Sequence, residues 1–366
     1  MKILQICSAR ELGGGEKHLA DLANGLARRG HDVYAAVVPA SPLPAELSSV
    51  PAQNLTELQM RNLNVASGLK LARFIRKHKI EIVHAHMARD YPLAALSARR
   101  GGAGLVLTRH VLFPLNRIHR LTLRRTARVI GVSQAVAEGL RAQKIFDPDK
   151  IVLIHNGIDV DRFERGRERI ARREQGTNKK RVGMIGHIAP IKGQEDFIRA
   201  AAVVINGRDD VEFVIAGEDK SRAGTNRRSA EKLIDELKLN QHVRLIGWVE
   251  DVADLLPTLD LFISPSRSEP FGLAIVEAMA AGVPVVASMS EGAREIIRDN
   301  HSGRLIPVGD VKVLAQAIDG LLSDPEERSR LVKNAQAAVR ENFSMEKMLS
   351  ATEQVYREAL EVRSAV

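Results

Sequence analysis

From Lys2 onward, short runs of β-branched and aliphatic residues alternate with longer amphipathic stretches, and this alternation runs twice along the 366 residues. Strand then helix, repeated, is the pattern of parallel sheets, because parallel neighbours need a crossover between them and a helix supplies it. In the first half the spacing predicts strands at Lys2 to Cys7, Asp32 to Val38, Ile80 to His84, Leu105 to Arg109, Arg128 to Val132 and Ile151 to Ile154, with helices near 16 to 29, 66 to 78, 90 to 99, 115 to 126 and 134 to 142. A second set of strands is expected at Arg181 to Ile185, Glu212 to Ala216, Val243 to Ile246, Leu259 to Ser264, Pro284 to Ala287 and Arg304 to Ile306, followed by a helical tail from Pro325 that breaks near Asn342 to Ser344. Between the two sets, residues 161–180 hold six Arg, two Lys and three Glu without a strand pattern. The expectation is an α/β chain of two Rossmann-like doubly wound parallel-sheet domains, since this length exceeds one ordinary core. The first would span 1–160, a charged linker 161–180, the second 181–342, and a C-terminal helix at 343–366 would cross back to the first domain. Ligands of such folds bind outside the carboxyl ends of the strands, and the two domains are expected to face each other across a cleft.

Composition excludes several classes. No run approaches the roughly 18 apolar residues of a membrane span, and the apolar start at Ile3 to Cys7 ends too soon for the core of a signal peptide. The expected location is cytoplasmic. The lone cysteine, Cys7, allows no internal disulfide and lies in a strand pattern. Charge is uneven: residues 1–160 carry 23 Lys+Arg against 12 Asp+Glu, a net of +11, whereas residues 161–366 carry 31 against 33. A basic half suits nucleic acid, anionic lipid or an acidic substrate, or is simply solvated helix faces. Nucleic acid is disfavoured, because that half has few aromatics for stacking and no known module.

Three segments carry chemistry. Glycines 13, 14 and 15 lie between the first strand and the first helix, where bare backbone can approach a phosphate; a plain tight turn is the alternative. Gly186, His187, Ile188, Ala189, Pro190, Ile191, Lys192 and Gly193 repeat the device in the second half, with Lys192 beside a helix start where a cation suits a diphosphate or is merely solvated. In the segment from Ser264 to Glu277, Pro270 holds Glu269 just outside a helix that contains Glu277. Two bare carboxylates near a diphosphate repel it by about 4 kcal/mol per charge pair at 4 Å and a dielectric near 20. They make sense as acceptors from neutral hydroxyls, that is, sugars; otherwise Glu269 is a cap and Glu277 a buried ion-pair partner.

With Gly13-Gly14-Gly15, His84-Ala85-His86, Val132-Ser133-Gln134, His155-Asn156-Gly157-Ile158-Asp159, Lys192-Gly193, Ala216-Gly217-Glu218, Gly247-Trp248-Val249 and the Glu269/Glu277 pair around Phe-Gly-Leu, the chain resembles glycosyltransferase family 4 over nearly its whole length. The resemblance implies the GT-B fold and a metal-independent transferase that retains anomeric configuration, with a nucleotide diphosphate sugar, UDP-sugar favoured, as substrate and no cofactor. It implies that Lys192 binds the donor diphosphate, Glu269 the hydroxyls of the transferred sugar and Glu277 the ribose. Backbone of Phe271, Gly272 and Leu273 would hold sugar and phosphate, backbone of Trp248 and Val249 would flank the base, Gly14 and Gly15 would approach the phosphates, and His110 would line the donor sugar. The catalytic set is thus Lys192, Glu269 and His110. One departure stands out: His187 occupies a position where the family usually has Arg, and a histidine with its ordinary pKa near 6.5 is only partly charged at neutral pH.

The acceptor is expected to be a cell-envelope glycan, a lipid-linked or polysaccharide precursor, or a small molecule. The alternatives are a sugar-nucleotide epimerase on the same fold and a catalytically silent nucleotide-sugar-binding partner. No metal site is expected: His84 and His86 show no third ligand, and Asp159-Val160-Asp161 belongs to the segment entering the linker. An anionic surface is a further expected partner of the first domain, peripheral on the cytoplasmic face of the inner membrane or on the acceptor itself. A helix over 115–126 would carry Arg117, Arg120, Arg124 and Arg128 on one face beside Leu115, Ile118 and Leu121, or else pack its leucines on the sheet.

Overall fold

The computed structural model describes residues 1–59, 65–171 and 179–364. Contacts divide the chain into two units, the first Met1–Gly157 with Met345–Val366, the second Ile158–Ser344. In the first unit, β1 (Lys2–Cys7), β2 (Asp32–Val37), β3 (Leu55–Glu57), β4 (Ile82–Ala85), β5 (Gly104–Arg109), β6 (Arg128–Gly131) and β7 (Ile151–Leu153) pair in the order β3-β2-β1-β4-β5-β6-β7, all parallel. Ile3 sits opposite both Val33 and Ile82, so β1 is central, and its apolar run is buried on both faces. The crossovers carry α1 (Gly14–Arg28), α2 (Leu43–Glu46), α3 (Val65–His78), α4 (Tyr91–Gly101), α5 (His119–Thr122) and α6 (Gln134–Ala142).

The second unit opens with α7 (Val160–Ala171). Its strands β8 (Lys180–Ile185), β9 (Val211–Ala216), β10 (Val243–Gly247), β11 (Leu261–Ser264), β12 (Val285–Ser288) and β13 (Arg304–Ile306) form a parallel sheet in the order β10-β9-β8-β11-β12-β13. Around it lie α8 (Gln194–Ile205), α9 (Thr225–Glu236), α10 (Val252–Leu255), α11 (Leu273–Ala280), α12 (Glu291–Ile296), α13 (Val311–Ser323) and α14 (Pro325–Asn342). Phe197 and Phe213 meet edge to face in its core, with ring centroids 5.6 Å apart.

Helix α15 (Met345–Ser364) then packs in the first unit, against α1 and β5. Leu349, Val355, Tyr356 and Ala359 join Ile3, Leu19 and Val106 in one buried cluster. Fully burying side chains of this size contributes roughly 1.5–3 kcal/mol each before entropy. Arg29 pairs with Glu353 at 3.1 Å and with Glu346, and His31 Nε2 lies 2.9 Å from Glu353. Inside, Tyr356 Oη lies 2.7 Å from His84 Nδ1 and accepts from Gln5 Nε2 at 3.4 Å, tying the helix to β1 and β4.

Three expectations change. The edge strand β3 was not foreseen, because three residues, Leu55-Thr56-Glu57, are too short for a pattern. The stretch expected to be a linker begins instead with α7, which packs on α10 and α11; residues 172–178 lie outside the described ones. Its arginines read as a charged linker because their partners are distant in sequence: Arg162 meets Asp251 at 2.8 Å, and Arg169 pairs with Asp254. Asp159 accepts from the Arg162 amide at 3.1 Å and faces Arg165 at 3.8 Å, so it serves the start of α7. Finally, the helix expected over 115–126 shrinks to His119–Thr122. Side chains pin the segment in a non-helical path: Leu115 N donates to Gln143 Oε1 at 2.6 Å, and Arg109 donates to the Phe113 carbonyl. Arg128 belongs to β6 and pairs with Glu358 of α15 at 2.9 Å. Among the described residues no helix is long and apolar enough to cross a membrane.

Candidate functional site

In a parallel sheet, the loops after successive strands open at the same edge, and in the second unit that edge carries the expected donor residues. Gly186, His187 and Lys192 follow β8, Trp248 and Val249 follow β10, and Glu269 to Leu273 follow β11. Gly193 ends the first of these loops at φ +75°, and a Cβ there would lie 2.2 Å from the Pro265 carbonyl oxygen. That contact brings the loop after β8 onto the loop after β11. Arg267 N donates to the Ile191 carbonyl at 2.8 Å, and the Arg267 side chain pairs with Asp196 of α8 at 3.0 Å.

At the junction, Lys192 Nζ lies 2.6 Å from Glu269 Oε2, both side chains only partly exposed. The sequence expectation treated Glu269 as a bare carboxylate; in the structure it is paired, which lowers its repulsion toward an approaching anion. The Glu269 backbone is clamped as well, its amide donating to Glu291 Oε2 at 3.3 Å and its carbonyl accepting from Gly292 N at 2.8 Å. Gly272, at φ +107°, turns the chain into α11. Glu277 is buried within α11, Trp248 is half exposed after β10, and the His187 carbonyl accepts from Gln194 Nε2 at 2.8 Å.

Helices α6, α10, α13 and α14 are each closed by a Ser or Asp side chain, from Ser133, Asp251, Asp310 and Asp324. Helices α1, α8 and α11 start at Gly13, Gly193 and Gly272 and receive no side-chain cap, as does α9 at Gly224. Each such N-terminus presents partial positive charge and backbone donors suited to an anion. Lys192 adds a full charge between α8 and α11.

In the first unit, Gly14 and Gly15 open α1, and a Cβ on Gly15 would touch the His110 ring at 3.6 Å. The structure therefore brings Gly14, Gly15 and His110 together within this unit. It also corrects the expectation that His84 and His86 lack a third ligand: His18 from α1 and His110 after β5 join His86, one ring nitrogen of each lying within 4.8 Å of the others. Sequence reasoning missed His18, whose one signal is its place one turn into the helix behind the glycines, and Glu291, which reads only as a first-turn acid. His86 Nε2 lies 2.9 Å from Gln5 Oε1. An amide oxygen only accepts, so Nε2 holds the proton and Nδ1 turns a lone pair toward His110 Nε2, 3.3 Å away. His84 Nε2 lies 2.7 Å from Thr108 Oγ1.

Burial pushes His18 down to about 4, and burial with the nearness of His18 pushes His84 down to about 3. His86 and His110 are held well below the ordinary histidine value, by burial first and by neighbouring rings second. The cluster is neutral at physiological pH.

The model of Glycosyltransferase Family 4 matches residues 12–162, and that of Glycosyl transferases group 1 matches residues 167–338. The chain belongs to glycosyltransferase family 4. Among relatives in this family, D-inositol 3-phosphate glycosyltransferase of Mycobacterium marinum is 31% identical over 301 residues, 76% of this chain and 64% of its own. The Mycobacterium tuberculosis enzyme of the same name is 31% identical over 303 residues, 76% of this chain and 62% of its own. The chain thus spans less than two thirds of the length of these curated relatives. HepE of Anabaena, solved in complex with UDP and glucose, superposes with a TM-score of 0.84 at 23% identity, covering 97% of this chain and 98% of that one. A glycosyltransferase from Rickettsia africae superposes with a TM-score of 0.84 at 25% identity, covering 98% of both. The fold is GT-B, two Rossmann-like parallel-sheet units.

The buried histidines carry a prediction for this family member. Their folded pKa lies below the unfolded one, so the unfolded chain binds more protons as pH falls. Their contribution is complete above about pH 6.5 and is lost as pH falls toward 4 for His18 and 3 for His84. Between about pH 6.5 and 5 each costs roughly 2 kcal/mol. Hydrogen exchange of β1, β4 and β5 in urea, at about pH 7.5 and 5, should show the first unit weakening, and His18→Gln should remove about half of the effect of this pair; equal pH dependence in both proteins would contradict the assignment.

Proposed function

We propose that this chain is a retaining glycosyltransferase that moves a sugar from a UDP-sugar to a hydroxyl of an anionic acceptor, a glycan or a lipid-linked or polysaccharide precursor. The observation that carries the reading is the Lys192–Glu269 pair set between the uncapped N-termini of α8 and α11. A diphosphate there meets Lys192 and two helix ends, and a sugar hydroxyl donates to the carboxylate of Glu269. The UDP and glucose of HepE and the phosphorylated inositol in the mycobacterial relatives' name support the donor and the anionic acceptor respectively. In the reaction the bond from the anomeric carbon to the diphosphate oxygen breaks and a bond to the acceptor oxygen forms on the same face. The acceptor's proton passes to the departing diphosphate, as the family resemblance implies. Lys192 and the helix ends then act on the charge that grows on that diphosphate, which makes electrostatic stabilisation the main contribution, with no metal in the transfer step.

Lys192→Ala and Glu269→Ala should melt near wild type and lose about 100- to 1000-fold in kcat, with wild-type turnover unchanged in excess chelator. Activity within a few-fold of wild type in both variants would sink the assignment, and isomerised sugar nucleotide formed without any acceptor would make the protein an epimerase.

The first unit is proposed to work at an anionic membrane surface, on the cytoplasmic face of the inner membrane. Phe113, Ile118 and Leu121 are 72%, 60% and 76% exposed, whereas Leu115 and Leu123 are buried. Arg117, Arg120, Arg124 and Arg125 are exposed among them. Beside them a cavity of about 280 Å³ is lined by Arg120, Arg124 and Lys150 together with Leu121 and Phe146. Apolar side chains that enter the interface, ringed by arginines worth about 1 kcal/mol each near anionic head groups, fit a lipid leaflet. Flotation should show binding to anionic but not neutral liposomes, falling with salt and with Arg117, Arg120 and Arg124 changed together to Ser; equal absence of binding to both vesicle types would overturn it.

A further inference from the structure

The histidine cluster behind the glycine loop of the first unit groups three ring nitrogens, a chemistry beyond the sugar contact that the family resemblance implies for His110. His18, His86 and His110 come from α1, the end of β4 and the end of β5, and each offers a ring nitrogen within 4.8 Å of the other two. Nitrogens around one tetrahedral zinc ion, at Zn–N distances of about 2.0–2.1 Å, lie about 3.3–3.4 Å apart. His86 Nδ1 and His110 Nε2 already stand 3.3 Å apart, and the remaining sides of the triangle need to close by about 1.5 Å at most. Imidazole binds metal through the lone pair of a neutral ring nitrogen.

Two further observations point to a ligand. His18, 6% exposed, has a buried Nδ1 without a hydrogen-bond partner. His86 carries the outer contact that metal-binding histidines have: its far nitrogen donates to Gln5 Oε1, and Gln5 is in turn held by Tyr356 Oη. The arrangement fixes the tautomer that turns Nδ1 inward. The other charged and titratable neighbours are Arg109, next to His110, and His84, whose ring lies 4.2 Å from that of His86 but is engaged by Tyr356 and Thr108. An all-nitrogen set of this kind suits zinc, copper or nickel and not magnesium or calcium, which take oxygen.

We propose that His18, His86 and His110 form a site for a divalent transition-metal ion of the zinc class, and that occupancy switches transfer off. The inhibitory half rests on the proposed function together with the role that the family resemblance implies for His110, lining the donor sugar; a ring bound to metal is turned from that contact. The metal is here a regulator, so removing it leaves the transferase active.

The test uses the full chain stripped with chelator and titrated with Co²⁺, whose visible d–d absorption reports a low-coordinate nitrogen site without any transfer assay. The expected result is a saturating spectrum at one ion per chain, displaced by Zn²⁺. Gln5→Ala should weaken binding about 10-fold, and His18→Gln and His86→Gln by more than the roughly 10- to 100-fold typical of an outer partner. In the transfer assay Zn²⁺ should lower turnover at least about 10-fold, EDTA should restore it, and His18→Gln should be insensitive. Absence of the cobalt spectrum in the wild-type chain overturns the site, whether or not the variants fold, and so does wild-type cobalt affinity in His18→Gln. A chain that binds Co²⁺ and Zn²⁺ but transfers sugar undiminished overturns the switch. A chain that binds metal but shows no transfer in its absence overturns the proposed function and leaves the site standing.

Discussion

Parallel pairing is the constraint from which the rest follows. Each strand of both sheets must return to the same end before the next can pair, so every crossover places a helix on a face and every strand-to-helix loop at one edge. Lys192, Glu269 and Trp248, far apart in sequence, share an edge of the second unit because β8, β11 and β10 run in one direction. In the first unit the same rule brings Gly15, His86 and His110 to one end, behind β1, β4 and β5.

What distinguishes these edges chemically is what the helices lack. A helix start is satisfied locally by a Ser or Asp side chain, as Ser133 does for α6 and Asp310 for α13. At α1, α8 and α11 glycine takes that place, and no side chain of the cap residue closes the first turn. Glycine in place of a Ser or Asp cap costs a helix only about a few tenths of a kcal/mol, and in the second unit the loops around these helix starts interlock: Gly193 beneath Pro265, Arg267 on Ile191 and Asp196, and Glu291 on the Glu269 amide. The second unit thus has a rigid frame around a short electropositive gap, and Lys192 with Glu269 supplies one charge of each sign inside it.

Much of this was legible in the sequence, for identifiable reasons. Long, doubly buried strands such as β1 and β8 announce themselves by composition, and Pro270 and the glycines mark their own backbone geometry. Interactions set by tertiary neighbours were not legible. The arginines of α7 resembled a linker because Asp251 and Asp254 lie some 85 to 89 positions away. The segment after Arg109 resembled a helix because its periodicity is helical, but Gln143 and the Phe113 carbonyl hold it otherwise. The grouping of His18 with His86 and His110 depends on α1, β4 and β5 meeting at one end, which no local pattern states. Composition had no way to show that Glu269 is paired with Lys192 rather than bare.

The central claim is that the loops after β8 and β11 in the second unit hold a nucleoside diphosphate. Hydrogen–deuterium exchange of the full chain with and without UDP tests it at the backbone donors themselves. The account predicts slowed exchange at residues 186–194 and 269–275, at the N-termini of α8 and α11, and loss of that protection in Lys192→Ala. Saturating UDP that leaves both segments exchanging as before, or protects only residues of the first unit, would contradict it.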